Sequence, residues 1–317
     1  MPALLVLCIC SDVDIAQLAA QEKQKPPATP TQPTTQPAKT TQPVAIRPDH
    51  DQPESPPDGQ LPPEAHPWGR FPVGSWKTVR VTSETLDPQG RIVTTSLTET
   101  KTTLVAADDH EYQLRVESTV EVAGRRFANP PQVTRHSYWG DLAATPNSGT
   151  GLRKMSSSEL ELNGRHVACE IRQAISERDG QRRQTVVHYT TTQFPYLLKR
   201  ESSITPLEGS TQPATSTTVE VIAANLPFRV AGMLKPVAYV RTNYQGTKSS
   251  SVTVEIQSAD VPGGVVNHSA QERDAAGTAV TRRSSLELVD YGLGSESPDD
   301  ASPGRRRWMR KQNRRDR

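Results

Sequence analysis

The feature that most constrains this chain is an alternation of apolar and polar residues that recurs between glycine turns over most of its length. Residues 112–122 show it clearly, because Tyr112, Leu114 and Val116 are each separated by one polar residue. Alternation with period two sends successive side chains to opposite faces of a strand, so that one face is buried and the other is solvated. The pattern predicts an all-β fold.

Turn signals separate the alternating runs. Asp87-Pro88-Gln89-Gly90 stands between two such runs, and Asn163-Gly164 is a strong signal for a type I′ hairpin. Short turns of this kind join antiparallel neighbours. We expect a long antiparallel meander of about 12 strands, and a sheet of that size curves strongly or splits into two sheets, as a half-barrel or a sandwich.

Two segments of the strand-rich region resemble each other at a constant offset. Val187 aligns with Val254, Pro195 with Pro262, and residues 218–221 with residues 285–288. Each segment has the pattern of a hairpin, a proline-containing loop and a second hairpin. The sequence therefore predicts internal repeats.

Composition divides the chain into four parts. Residues 22–67 hold 13 of the 27 prolines, with many Thr and Gln. Such a stretch cannot bury enough apolar surface to offset the entropy of ordering it. We expect a signal-like or truncated signal segment at 1–21, a disordered linker at 22–67, an all-β domain at 68–293 and a disordered basic tail at 294–317.

The N-terminal segment resembles a secretory signal peptide. An apolar run over residues 3–10 is followed by Ala19 and Ala20, although no Lys or Arg precedes Lys23. An upstream start is one explanation, and an apolar N-terminus without meaning is the alternative. No other run approaches the roughly 20 apolar residues of a membrane helix. We expect an exported protein, in the periplasm or at the cell surface.

The three cysteines predict no disulfide framework. Cys8 and Cys10 form a poor lipid-attachment motif, because small residues should precede the cysteine. Only Cys169 would remain after cleavage of the signal segment, which excludes an intramolecular disulfide and a thiolate metal cluster. Cys169 lies in an alternating run, which predicts a buried structural thiol.

A family resemblance comes from residues 194–201, Phe-Pro-Tyr-Leu-Leu-Lys-Arg-Glu. This segment resembles one in the lipoprotein carriers, whose fold is an incomplete barrel, and the likeness extends over residues 180–290. The strand-rich region is also similar to uncharacterised exported all-β envelope proteins. The resemblance implies a strongly curved sheet and a lipid or another envelope component as a partner. It maps no catalytic residue onto this chain.

No catalytic, cofactor or metal motif is present in the sequence. None of the seven histidines has metal-ligand spacing, and there is no P-loop, GxGxxG or GxSxG. The densest ionisable cluster, residues 108–111, is either a cation site or a polar hairpin tip, and its place between two strands favours the tip. We assign no catalytic residue, cofactor or metal, and do not expect an enzyme.

Two groups of residues are candidates for binding. Phe71, Trp76 and Trp139 either plug one end of the core or line the mouth of an apolar pocket. Residues 305–317 carry a net charge of +7, against +2 for the whole chain. A solvated tail is one interpretation, and a polyanion-binding tail is the other. Export favours an anionic lipid or polysaccharide over nucleic acid. The candidate residues of the tail are Arg305, Arg306, Arg307, Trp308, Arg310, Lys311, Arg314 and Arg315.

Three hypotheses for function follow. The first is an envelope-associated binding module for an apolar or amphipathic ligand or a protein partner, and it predicts a cavity. The second is a structural cell-surface protein, which predicts a solid core. The third is an envelope hydrolase, which predicts that His136, His166 or His188 converges with other polar groups on one cleft. We favour the first.

Overall fold

The alternating runs form strands of a single antiparallel sheet. The computed structural model describes residues 63–138, 152–178, 180–208 and 214–294. A short 3₁₀ helix, Pro63–Ala65, precedes fourteen strands within these residues. The strands are β1 (Trp76–Leu86), β2 (Ile92–Ala107), β3 (Glu111–Val122), β4 (Arg125–Ala128), β5 (Gln132–Ser137), β6 (Arg153–Leu162), β7 (Arg165–Arg178), β8 (Gln181–Tyr189), β9 (Leu197–Pro206), β10 (Thr215–Val230), β11 (Met233–Gln245), β12 (Ser249–Gln257), β13 (Val265–Asp274) and β14 (Val280–Gly292).

The strands form one continuous sheet, but the first and last strands of the chain do not lie at its edges. Its order runs from β6 through β14, continues with β1, β2 and β3, and ends at β4, while β5 also pairs with β3. β14 therefore lies beside β1, from Trp76 opposite Gly292 to Thr85 opposite Arg282. The predicted all-β meander is confirmed, with fourteen strands instead of about twelve, and the structure forms one sheet rather than two.

The connections between strands lie at two ends of the sheet. The turn end has the connections β1–β2, β3–β4, β7–β8, β9–β10, β11–β12 and β13–β14. The capped end has residues 63–75, the loops 190–196 and 258–264, the hairpin turns β2–β3, β6–β7 and β10–β11, and the end of β14. At the turn end Gly90, Gly124 and Gly277 have positive φ, which glycine adopts without steric cost.

The described residues begin at Pro63, five residues before the predicted boundary at residue 68. His66, which the sequence analysis placed in the disordered linker, is buried. Its ring centroid lies 4.8 Å from that of Tyr112 and 5.4 Å from that of Tyr138, and its Nδ1 accepts a hydrogen bond from Trp68 N at 3.2 Å. Burial between two aromatic rings is the physical reason that this residue belongs to the folded domain.

Residues 63–75 pack on one face of the sheet, which we call the inner face. Trp68 joins Leu104 and Tyr112 in one buried cluster, and Lys77 Nζ lies 5.7 Å from the centre of the Trp68 ring. Successive side chains of β1 alternate between faces. Lys77, Val79 and the residues that alternate with them therefore point to the inner face, and Trp76 points to the outer face.

The two segments of the predicted repeat occupy comparable positions. The loops that contain Pro195 and Pro262 both lie at the capped end, after β8 and β12 respectively. Residues 218–221 lie in β10 and residues 285–288 in β14, which run in the same direction along the sheet. The repeat itself stays a prediction. The predicted signal segment and basic tail lie outside the described residues, as does most of the predicted linker.

Candidate functional site

The inner face carries a row of short side chains in its middle. Residues paired directly across an antiparallel ladder share a face. The row starts at Ser83, which pairs with both Ser96 and Ser284. All of its members are half-buried. In order across the sheet they are Ser96, Ser83, Ser284, Ala270, Thr253, Thr242 and Val219. We call this set the hydroxyl row.

The hydroxyl row is long and shallow. It crosses seven strands, from β2 to β10. Neighbouring strands are about 4.8 Å apart, so the row extends roughly 29 Å across the sheet. The Ser and Thr side chains of the row carry hydroxyl groups that both donate and accept hydrogen bonds.

A buried row lies next to the hydroxyl row, on the side of the capped end. It runs from Val81 through Leu286 and His268 to Glu255 and Val240. His268 is 1% exposed and Glu255 is 6% exposed. A buried acid and a buried histidine therefore stand opposite each other on adjacent strands, with apolar side chains on both sides.

His268 is the one side chain of this row with an unsatisfied polar atom. Its Nε2 lies 3.4 Å from Ser284 Oγ, whereas its Nδ1 has no hydrogen-bond partner. Glu255 Oε2 accepts a hydrogen bond from Gln257 Nε2 at 2.9 Å. Burial lowers the pKa of His268 from 6.5 to about 4. The imidazole is therefore neutral near pH 7.

Serine, histidine and a carboxylate also form catalytic sites in hydrolases, but the geometry of Ser284, His268 and Glu255 does not favour catalysis. A general base is most effective when its pKa lies near the working pH. A histidine with a pKa of about 4 is a weak base at neutral pH. In a catalytic triad a carboxylate orients the histidine through Nδ1, and Nδ1 of His268 makes no such bond. Ser284, His268 and Glu255 therefore serve better as hydrogen-bonding groups than as a catalytic set.

A charged row lies on the other side of the hydroxyl row, towards the turn end. Arg282 stands opposite Glu272, and Tyr244 stands opposite both Ser251 and Thr217. Arg282 Nη2 donates a hydrogen bond to Ser83 Oγ at 3.3 Å, which connects the charged row with the hydroxyl row. The inner face therefore changes from buried and mainly apolar to hydroxyl-lined to charged along the strand direction.

A separate crevice lies between β6, β9 and β10. Leu160, Leu162, Leu198 and Val221 provide its apolar wall, and its volume is about 110 Å³. Pockets for small molecules measure about 300–1,000 Å³. This crevice is too small for a lipid. Beside it, Asn163 Nδ2 donates a hydrogen bond to the Ala224 carbonyl at 2.5 Å, which helps to hold the β6–β7 hairpin against β10.

The structure does not bring the predicted pocket-mouth residues together. Phe71 packs against the cluster that contains Trp68 and Leu104, on the inner face. Trp76 lies on the outer face, where Lys101 Nζ is 4.9 Å from its ring centre. Trp139 lies outside the described residues. A role in ligand binding stays a prediction for all three.

The three histidines of the hydrolase hypothesis have different surroundings. His136 Nε2 lies 2.7 Å from Thr134 Oγ1, and its ring stacks on Tyr112. His166 is exposed beside Glu159. His188 Nδ1 lies 3.9 Å from Cys169 Sγ.

Two other predictions are confirmed by the structure. Cys169 is a buried thiol, and burial raises its pKa. Asp108 lies in the tip of the β2–β3 hairpin, where Oδ1 accepts hydrogen bonds from the backbone N–H groups of His110 and Glu111. These bonds lower the pKa of Asp108. Among the described residues, no group of three or more His, Cys, Asp or Glu side chains could hold a metal ion.

Sequence patterns did not reveal the candidate site on the inner face. The hydroxyl row consists of ordinary strand residues, whose neighbours across the sheet depend on register. The available signal was the concentration of Ser and Thr at every second position, for instance Thr253 and Ser251 in β12. The candidate residues of the basic tail lie outside the described residues. In the part of the chain that the structure describes, no helix is long and apolar enough to cross a membrane.

Comparison with known proteins gives weak structural likenesses only. No protein-family model matches the chain, and no curated protein matches it significantly. A protein of Bacteroides fragilis, recorded as a "putative exported protein with YmcC-like fold", has 9% identity and a TM-score of 0.30, over 70% of this chain and 97% of that one. A "putative lipoprotein" of Parabacteroides distasonis has 10% identity and a TM-score of 0.30, over 70% and 97%.

A third structure is a DUF1329 family protein of Desulfovibrio piger. It has 8% identity and a TM-score of 0.28, over 72% of this chain and 88% of that one. The expected resemblance to exported envelope proteins is confirmed in the descriptions of the first two neighbours. At these TM-scores the likeness carries no argument about what this chain binds.

Proposed function

We propose that this protein is an exported binding module of the cell envelope, and that its inner face holds an amphipathic ligand, a lipid or a lipid-bearing envelope component. The observation that carries the proposal is the order of the buried, hydroxyl and charged rows across the inner face. The polar part of the ligand faces the hydroxyl and charged rows, and its apolar part faces the half-buried Val81, Ala270 and Val219. Export is supported by the apolar N-terminal run and by the descriptions of the structural neighbours.

The polar groups of the site suit the headgroup region of such a ligand. Ser and Thr hydroxyls accept and donate hydrogen bonds, and Arg282 supplies a fixed positive charge.

The basic tail belongs to the same proposal. Residues 305–317 combine eight cations with Trp308 and Met309. We propose that they bind an anionic component of the envelope, because cations attract a charged surface and the apolar side chains enter its interface. Removal of residues 305–317 should weaken binding to anionic vesicles in low salt. It should leave the ligand on the inner face unchanged.

Native mass spectrometry of the secreted full-length protein tests the inner-face proposal. We expect a discrete adduct of lipid mass that is lost after solvent extraction. The Ser284→Trp variant fills the hydroxyl row and should reduce the adduct at least tenfold. Ser285→Trp is the matched control, because the adjacent serine points to the outer face and is exposed.

Two further results would decide between binding and a structural role. Thr253→Trp, two strands away in the same row, should also remove the adduct, which guards against a local effect of Ser284 on His268. An unliganded wild-type protein that takes up no lipid from envelope extracts would contradict the proposal. It would favour the structural cell-surface protein.

A further inference from the structure

The hairpin formed by β10 and β11 projects beyond its neighbours at the capped end. β10 pairs with β9 no further than Glu220, and β11 pairs with β12 only from Ala238 onwards. Past these points the two strands pair only with each other, from Leu226 opposite Val237 to Val230 opposite Met233. We call residues 226–237 the arm.

The arm packs against the rest of the domain as far as Val230, opposite Met233, but three other side chains near its tip are exposed. Val230 and Val237 belong to a buried cluster with Val261 and Tyr291. At the tip, Met233 is 55% exposed and Leu234 is 74% exposed. Arg229 is paired with Leu234 and is exposed as well. The tip therefore presents two large apolar side chains and one cation.

Two other exposed apolar residues lie on segments that contact each other at the capped end. Val73 and Leu293 are both exposed. Gly294 N, next to Leu293, donates a hydrogen bond to Ser75 Oγ at 3.0 Å, so the two segments are in contact. A single exposed apolar residue is ordinary, but several on adjoining segments mark a surface for interaction.

The arm is linked to the point where the chain leaves the sheet. Lys235 Nζ pairs with Asp260 Oδ2 at 2.8 Å, and this pair, with a hydrogen bond to Tyr291, raises the pKa of Lys235. Tyr291 lies near the end of β14, three residues before Gly294. The arm and the C-terminal exit are therefore at the same end of the domain.

The chain that continues from this point is first acidic and then strongly basic, because residues 295–304 carry Glu296, Asp299 and Asp300 but no Lys or Arg. Residues 305–317 carry eight Lys or Arg residues and one Asp. The ten residues between Gly294 and Arg305 span up to about 35 Å when extended. The linking residues are long enough for the cationic segment to act at the capped end, and an anionic surface would complement its charge.

We infer that the capped end of this domain docks on an anionic lipid bilayer. Met233 and Leu234 enter the interface, Arg229 stays at the level of the headgroups, and the basic segment adds electrostatic attraction. A bilayer fits better than a protein partner, because the apolar tip is small and the charge lies on a separate segment. This inference concerns another surface than the inner face and does not depend on a ligand there.

Vesicle co-sedimentation of the full-length protein tests the inference. We expect binding to vesicles of phosphatidylcholine with 30% phosphatidylglycerol, and at least tenfold weaker binding to pure phosphatidylcholine. The double variant Met233→Ser/Leu234→Ser should lose at least tenfold in affinity for the anionic vesicles. The matched control is Ile92→Ser/Val93→Ser, which removes two equally exposed apolar side chains at the turn end. Circular dichroism verifies that both variants are folded.

Each result bears on the inference. Loss of binding in the arm variant with retention in the turn-end variant supports it, as does weakening by 0.5 M salt. Wild-type protein that does not bind anionic vesicles overturns it. So does an arm variant that binds as tightly as the wild type, because the basic segment then acts alone. An arm that instead mediates dimerisation in sedimentation velocity, without vesicle binding, also overturns it.

Discussion

The two ends of the sheet are built on different principles. At the turn end, strands are joined by short turns, and an added Cβ at Gly90, Gly124 or Gly277 would meet open space. At the capped end, a Cβ on Gly263 would lie 2.8 Å from the Trp68 ring, and one on Gly69 would meet the Pro63 carbonyl. The turn end depends on local backbone geometry, whereas the capped end depends on contacts between segments that are distant in sequence.

The difference explains where this domain obtains its stability. Leu104, Tyr112 and Trp68 are buried together at the capped end, and Leu152, Val187 and Tyr189 form a second cluster. The loops at the capped end therefore form part of the hydrophobic core, and changes there should cost more.

Trp68→Ala tests that difference most strongly. Loss of the ring opens a cavity beside Leu104 and Tyr112 and removes the contact with Lys77, so the free energy of unfolding should fall by about 3–5 kcal/mol. Chemical denaturation measures it. Val93→Ala at the turn end is the control and should change the value by no more than about 0.5 kcal/mol. Equal effects would show that the capped end is not the more stabilising one.

His268 should make the stability depend on pH. Its pKa is near 6.5 in the unfolded chain and about 4 in the folded one. Between these values the unfolded state binds a proton that the folded state does not, so the free energy of unfolding should fall as pH decreases from 6.5 to 4, by on the order of 3 kcal/mol. Above pH 6.5 the residue should contribute no slope.

The control for this pH dependence is a pair of histidine variants, followed by denaturation at several pH values. His268→Gln should flatten the slope between pH 4 and 6.5. His166→Gln should leave it unchanged, because that side chain is exposed. A slope that persists in His268→Gln would assign the effect to another group.

Two glycine substitutions, one at each end of the sheet, compare the cost of an added Cβ at the same φ. Gly263 and Gly277 both have φ of 71°. The left-handed conformation alone costs an alanine about 1–2 kcal/mol. Gly263→Ala should cost about 2 kcal/mol more than Gly277→Ala, because its Cβ also collides with Trp68. Thermal unfolding of both variants measures the difference, and equal costs would mean that the Trp68 loop shifts freely.

Asp274→Ala should have the smallest effect. Asp274 Oδ1 accepts hydrogen bonds from the N–H groups of Thr278 and Ala279 in the β13–β14 turn. Asp274 is half-buried in this turn, and water replaces its carboxylate readily as an acceptor. We expect a shift in the midpoint of thermal unfolding that is smaller than for either glycine variant. A larger shift would show that this turn needs its side chain as well as its glycine.

Sequence patterns were sufficient for most of the strands and turns. The alternation in residues 112–122 corresponds to strand β3, and the turn at Asn163-Gly164 joins β6 and β7 in a hairpin. Local patterns failed at His66, because its burial between Tyr112 and Tyr138 involves contacts over more than forty residues. They also could not reveal that β14 lies beside β1.

The candidate site illustrates the same limit. Ser83, Ser284 and Thr253 are unremarkable strand residues, and they form one row only because three separate registers align them. A shift of one residue in any of these strands would move its members to the outer face. The inner-face site was therefore beyond the reach of sequence patterns.

The sequence by itself determined the strand class, the antiparallel neighbours and the glycine turns, because period-two alternation and left-handed turn positions are local properties of the chain. Only the tertiary structure decided the pairing of β14 with β1, the packing of residues 63–75 on the inner face and the burial of His268 opposite Glu255. These features depend on register and on burial between distant segments, which no local pattern records.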